Sequence, residues 1–574
     1  MAQTSHLKSQ IWQPSVVGIG LLLTPVFTLL IASAVFWCGG SIQPFMFPVA
    51  IAFSIAAMFF LSQKNIKQWL FSSTILILSI VAFCFLSLLV LDYSYDGQWY
   101  HQEMIWKLAQ GWNPFKAHHA PELDILTGAT IWVNHYGKGI EMVQAAIYSL
   151  IGEIESAKAI NFMLIGASGL LFFSFLQRSF HTFSTRKRVL FTVLFLLCPI
   201  VLRQAFTFLI DWALYSLLLI LVPALITFGK TKSRTALLTI AAVVALAASI
   251  KFNFLFWCGF AVLCYCVYWI VTKNYQTLRT VIFTCAVSGI VAVGFINYNP
   301  YITNTIDHKH PLYPLMGEGK KDIMSVNMPI CLRGKSHVSQ TLISLFAHPN
   351  VYLEWRGTAF HISEYHFMGV KSADSRLGGF GGFFSWTLLI SVALLVTNAI
   401  RNKDMFRNKK RLPYSIFVGV LFLALFILPA GWWARYVLFF YAFPLVLCLY
   451  FESENPMPWF KKLRWVIYIM LIINAIAATW GVCRVHSGFT KKVNNIQTVM
   501  AHANEPIIVH FGENFAMKLK ADKAELPYKA VSDKEVHFGI GLIPEVFFDS
   551  TQCELSPLNP PQGGLKGELK LRNK

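Results

Sequence analysis

The chain has 574 residues, of which 56% are hydrophobic and 13% charged, and its mean hydropathy is +0.54. A soluble domain carries roughly 25% charged residues, so that class is excluded, and apolar runs of about 20 residues, the length of a membrane helix, recur along the chain. The formal net charge of +20 gathers in short loops such as "RSFHTFSTRKR", "GKTKSR" and "RNKDMFRNKKR"; this is the positive-inside pattern, so membrane topology accounts for it and nucleic acid is not an expected partner.

In chain order, the apolar runs predict helices over 16–37, 46–62, 69–92, 158–177, 189–207, 210–228, 235–250, 252–272, 280–297, 380–398, 413–429, 435–450 and 464–481. The expected fold class is an all-α polytopic membrane protein of about 12–13 transmembrane helices. The first run follows a single lysine and shows no small-residue cleavage site, so it reads as a retained helix. A further apolar segment, "GIEMVQAAIYSLIG", is too short to span upright and reads as re-entrant or surface-lying. The eleven cysteines are scattered and lack metal-ligand spacing; they read as small buried hydrophobes.

The basic loops near Lys64, Arg186, Lys232, Lys273, Arg407 and Lys461 alternate in a way that puts them all on the cytoplasmic side. Contact with anionic lipid headgroups is expected there. The opposite side then holds large loops at 93–157 and 298–379, the turn at 429–435, and a small C-terminal region over 482–555. That region has two strand-like pieces, "PIIVHFG" and "VHFGIGLIPEVFF". Residues 556–574 are rich in Pro, Gly and Lys and are expected to be disordered. The division is N-terminal helices (1–68), a membrane core (69–481) and this C-terminal part.

The reactive residues lie on that outer side. Asp96 opens "YDGQWYHQEMIWKLAQGWNP", whose apolar residues fall on one face at helical spacing, as in a helix resting on the outer leaflet. Asp96 reads either as a helix N-cap or as a general base for a substrate hydroxyl. His101, Glu103, Glu141 and Asp211 are candidates for supporting acid/base or acceptor-binding roles. Asp96, His101, Glu103 and Glu141 have the donor types of a divalent-cation site, but no spacing demands one; no metal and no other cofactor is required. Lys251, Arg435 and His310 are candidate ligands for a donor phosphate. The alternative for Lys251 is snorkelling to the interface, and for Trp432 and Trp433 an aromatic belt. A base, nearby cations and aromatic surfaces fit transfer from a lipid phosphate to a hydroxyl.

Three stretches carry a family resemblance: "YDGQWYHQEMIWKLAQGWNP", "NPYITNTIDHKHPLYPL" and "WWARYVLFFYAFPL". Together, over roughly 69–450, the chain resembles the GT-C superfamily of multi-spanning glycosyltransferases, and is most similar to bacterial relatives of the protein O-mannosyltransferases and the lipid A aminoarabinose transferases. The resemblance implies a polyprenyl-phosphate sugar donor, an active site on the extracytoplasmic face of the plasma (inner) membrane, inversion at the sugar carbon, and Asp96 as the catalytic residue. The acceptor would be a lipid, a glycan or a protein hydroxyl. The chain departs from the family in two ways: two apolar runs precede the one before the acidic loop, and that loop has no adjacent acid pair. Two other functions fit the composition. One is a polysaccharide polymerase or ligase using polyprenyl-diphosphate donors, with Arg333, Arg356 and Arg376 serving. The other is a lipid or solute transporter.

Overall fold

The structure is a computed structural model that describes residues 13–62, 64–121, 128–347, 373–401, 431–453, 458–504, 506–511, 514–530, 543–548 and 551–557, with isolated positions at 419 and 423. Among the described residues, seven helices are long and apolar enough to cross a membrane: Pro14–Trp37, Ile66–Leu88, Ile154–Ser179, Trp212–Thr231, Phe252–Val271, Tyr275–Ile296 and Lys462–Ala501. Shorter apolar helices, among them Met46–Leu61, Arg234–Ile250 and Phe384–Asn398, complete the bundle. Large apolar side chains such as Phe60, Phe85, Phe283 and Ile290 stand exposed on its outside. Apolar surface on that scale needs a non-aqueous neighbour; the protein is an integral membrane protein.

Successive helices alternate in direction. Asn65, Ser184 and Ser233 each cap the helix that follows a basic turn, accepting the N–H of Gln68, Lys187 and Ala236. Lys64, Lys232 and Lys273 turn the chain there with left-handed backbone. The loops at the other end carry the polar chemistry.

Several predicted spans differ in detail. The 189–207 run breaks into Thr185–Leu196 and Pro199–Gln204. Pro199 lacks an N–H and drives Cys198 into extended backbone, which ends the first helix. The 435–450 run opens as short 3-10 turns, Ala434–Tyr436 and Leu438–Tyr441, before the helix Ala442–Ser453. The predicted 464–481 helix is much longer, running Pro458–Ala501. The 413–429 run lies outside the described residues, apart from positions 419 and 423.

The segment after Asp96 does not rest on a membrane surface. It forms a π-helical turn, Gly97–His101, and a helix, Gln102–Ala109, in which Gln102, Glu103, Met104, Ile105, Lys107 and Leu108 are all buried. The Gly139–Ile151 helix packs over it and is itself buried through Ile147. The same helix starts tight against the Arg234–Ile250 helix, where it needs glycine: a Cβ at Gly139 would lie 2.5 Å from the Ser249 Cβ.

The C-terminal part is not purely helical. It holds a four-stranded sheet in the order Tyr528–Ala530, Ile507–His510, Thr551–Pro557, Ile543–Phe548. The first pair is parallel and the others antiparallel. Ser556 and Pro557, expected in a disordered tail, belong to a strand paired with Ile508 and Ile507. The boundary expected at 482 also falls inside a continuous helix. Val493, Ile496 and Met500 of that helix form one apolar core with Val509, Phe511, Met517 and Ala521.

Candidate functional site

Four of the acid/base and phosphate-binding candidates, Asp96, Asp211, Lys251 and Arg435, meet at one end of the bundle. Asp96 Oδ2 lies 3.1 Å from Arg435 Nη1, and Arg435 Nε lies 3.4 Å from Asp211 Oδ2. Lys251 Nζ reaches Asp211 Oδ1 at 2.6 Å. Two further residues join them: Asp374 Oδ1 is 3.2 Å from Arg435 Nε, and Asp374 Oδ2 is 3.2 Å from Arg376 Nε. Three carboxylates thus alternate with three cations.

Local structure explains each position. Asp96 precedes the π turn but makes no side-chain cap bond, so its carboxylate is available to Arg435. The next residue must be glycine, because a Cβ at Gly97 would lie 1.9 Å from Asp92 Oδ2. Asp211 precedes the Trp212–Thr231 helix, yet Gln204 Oε1 takes the Trp212 N–H at 2.9 Å. Gln204 does the capping and leaves Asp211 to the cations. Lys251 stands in extended backbone between the helices ending at Ile250 and starting at Phe252. Arg435 is placed by main-chain bonds: Ala434 N–H donates to Arg376 O (2.8 Å) and Arg435 N–H to Ser375 O (3.3 Å). The same two bonds bring Asp374 beside the guanidinium.

Aromatic rings wall the cluster. Trp433 and Tyr436 stack with centroids 5.0 Å apart, and the Arg435 guanidinium lies 4.9 Å from the Trp433 ring. Lys251 Nζ lies 4.6 Å from the Tyr436 ring centroid. Trp433 Nε1–H donates to Asp374 Oδ1 at 3.3 Å. Trp432 and Trp433 are buried, not a lipid-facing belt. Nor does Lys251 snorkel; it is paired.

Electrostatics keeps the cations charged. Burial alone would lower the Arg435 pKa, but Asp374, Asp211 and Asp96 hold it well above its usual value. Burial opposes the charge on Lys251 too, and Asp211 overrides it. Asp374 is held below the usual carboxylate range: Arg435 and Arg376 outweigh its burial. Tyr100 and Tyr136 are pushed up, first by burial and then by neighbouring charges including Asp96, so both phenols stay protonated. Asp96 has the most open carboxylate, with 21% of its side chain exposed against 18% for Asp374 and 1% for Asp211.

The other predicted residues go elsewhere. His101 Nδ1 and Glu141 Oε1 form a buried pair at 2.6 Å, and Glu103 pairs with Lys107 at 2.7 Å. These acids do not gather with Asp96, and among the described residues no three His, Cys, Asp or Glu groups are placed to hold a metal ion. His310 Nδ1 accepts the Leu312 N–H at 3.1 Å within its own turn. Its loop packs through His308 against His135. Arg333 is exposed, and Arg356 lies outside the described residues. Sequence reasoning missed Asp374, Tyr100, Tyr136 and Tyr436. The Asp374–Arg376 spacing beside a glycine-rich stretch was the one available signal.

No family model matches the sequence, and no curated protein does. Among solved structures the chain is similar to ArnT from Cupriavidus metallidurans, in a crystal structure with undecaprenyl phosphate. The identity is 11%, covering 80% of this chain and 85% of that one, with a TM-score of 0.41.

Proposed function

We propose that this protein is an inverting glycosyltransferase that moves a sugar from a polyprenyl-phosphate donor to a hydroxyl acceptor at the outer face of the plasma membrane. The observation that carries the reading is the part-open Asp96 carboxylate held by Arg435, beside Lys251, at the end of the bundle opposite the basic turns. Asp96 takes the proton of the acceptor hydroxyl, whose oxygen attacks the anomeric carbon. The bond from that carbon to the phosphate oxygen breaks with inversion. The leaving phosphate gains charge, and Lys251 and Arg435 neutralise it. Both cations exchange part of their contact with Asp211 and Asp374 for the phosphate. The buried Trp433 ring and the partly buried Tyr436 ring keep water from the departing group. The acceptor is a lipid, a glycan or a protein hydroxyl.

One observation favours a second reading. Arg376 adds a third cation to the cluster, through Asp374 and 5.7 Å from the Trp433 ring. A diphosphate donor, as a polysaccharide polymerase or ligase uses, would suit it. The test is turnover of sugars linked to polyprenol through one phosphate or through two. Consumption of the monophosphate donors supports transfer of the first kind. Consumption of diphosphate donors alone would replace it with the second.

A further inference from the structure

The segment that carries Asp96 is held mostly by residues far away in sequence. Lys158 Nζ donates to Val90 O (2.5 Å), Leu91 N–H donates to Thr490 Oγ1 (3.3 Å), and His486 Nδ1 lies 2.9 Å from Leu91 O. Asp92 N–H donates to Glu155 Oε2 at 3.2 Å, and Asp92 Oδ1 accepts the Ser94 N–H at 2.8 Å. Glu155 is the hub: it pairs with Lys158 at 2.7 Å and with Lys520 at 3.1 Å. Lys520 belongs to the Phe515–Lys523 helix of the C-terminal region.

That helix grips both sides of Asp96. Upstream, Leu91 and Tyr95 pack into the C-terminal apolar core with Val493, Met500 and Met517. Downstream, the helix packs against the 97–101 turn, and Phe515 meets Trp106 with ring centroids 5.7 Å apart. Lys523 Nζ fastens its far end to Gly152 O at 2.9 Å. The seam is not solid. A cavity of about 370 Å³ opens along it, lined by Leu91, Tyr148, Glu155, Asn494 and Lys520 among others. Shape alone therefore does not fix the docking, and the ion pairs have work to do.

We propose that the C-terminal region positions Asp96 for reaction, acting through the Lys520–Glu155 pair, so that Lys520 and Glu155 are positioning residues. The catalytic half of this inference rests on the function proposed above; the structural half does not. Misplacing a base by about 1 Å can cost up to about a hundredfold in rate. The experiment follows hydrogen exchange of residues 91–97 and donor turnover in the full-length protein, in wild type, Lys520→Ala, Lys520→Arg and Glu155→Gln. Lys520→Ala and Glu155→Gln are expected to raise exchange in 91–97, with the remaining helices unchanged. Lys520→Ala should also lower kcat about tenfold with donor KM unaltered, and Lys520→Arg should restore both readouts. Unchanged exchange at 91–97, or a rise spread evenly over the whole protein, would overturn the proposal. So would faster exchange at 91–97 with kcat intact. If wild type consumes no polyprenyl-linked donor, the functional reading falls, and exchange alone decides whether the C-terminal region holds this segment.

Discussion

Two polar clusters of the molecule, around Lys138 and around Arg435, are wired differently. Around Lys138, the ammonium donates to Asn134 O, Tyr136 O and Asn299 Oδ1 at 2.8, 3.0 and 2.6 Å. Nearby, His135 Nδ1 lies 2.7 Å from Asn304 Oδ1, and Asn304 Nδ2 donates to His135 O and Tyr313 O. The partners there are neutral acceptors, and the bonds stitch the segment around 134–138 to the one around 299–313. Around Arg435, charge meets charge. Arg435 Nε and Asp211 Oδ2 sit at ion-pair distance without hydrogen-bond geometry. The first cluster is closed and holds loops together. The second leaves Arg435 Nε and Asp211 Oδ2 without a full hydrogen bond, which suits the proposed phosphate donor.

The largest expected effect breaks the second cluster. Arg435→Ala leaves the buried Asp211 and the part-buried Asp374 carboxylates with fewer partners. It should destabilise the protein by about 3–5 kcal/mol in detergent and remove turnover. Arg435→Lys keeps the charge without the planar fork, so it should recover stability more fully than kcat. Thermal unfolding and turnover of the two variants check this together. Lys138→Met breaks the first cluster instead. It strands three acceptors and should cost about 2–4 kcal/mol. Its donor KM should stay near wild type in the protein that remains folded. If Lys138→Met raised donor KM several-fold in the protein that remains folded, the division between the clusters would fail.

Smaller changes sharpen the contrast. Trp433→Phe removes the N–H donated to Asp374 and part of the buried indole, while keeping a ring near Arg435. It should cost about 1–2 kcal/mol and reduce turnover a few-fold, read by the same assays. The smallest effect is on pH dependence. Asp92 is pushed up to about 6, first by burial and then by Glu155, against the opposing effects of Ser94 and Lys158. Its unfolded value is about 3.9. Between those two values the folded protein holds the extra proton, so Asp92 makes stability fall as pH rises from about 4 to about 6. Asp92→Asn abolishes that contribution. Its melting temperature, relative to wild type, should therefore climb between about pH 4.5 and pH 7.

The membrane helices were legible because a bilayer demands about 20 apolar residues per crossing, and that pattern survives without knowledge of packing. Asp96, Asp211, Lys251 and Arg435 were legible because ionisable groups at the ends of apolar runs are rare and need partners. What the pattern could not reveal is pairing at a distance. Asp374 lies 61 positions before Arg435, and main-chain bonds between 375–376 and 434–435 bring them together. His101, Glu103 and Glu141 stood as supporting acid/base candidates in the sequence, but each is taken up by a buried partner. The amphipathic 97–112 stretch suggested a membrane surface. Its apolar face meets protein instead, because the Gly139–Ile151 helix folds over it.

The most direct measurement is single-turnover release of polyprenyl phosphate from its sugar conjugate by wild type and by Asp96→Asn, with both proteins first shown to unfold at similar temperatures. Release by wild type, and loss by about a thousandfold or more in the variant, is the predicted result. Equal release by the two would contradict the assignment of Asp96 as the base.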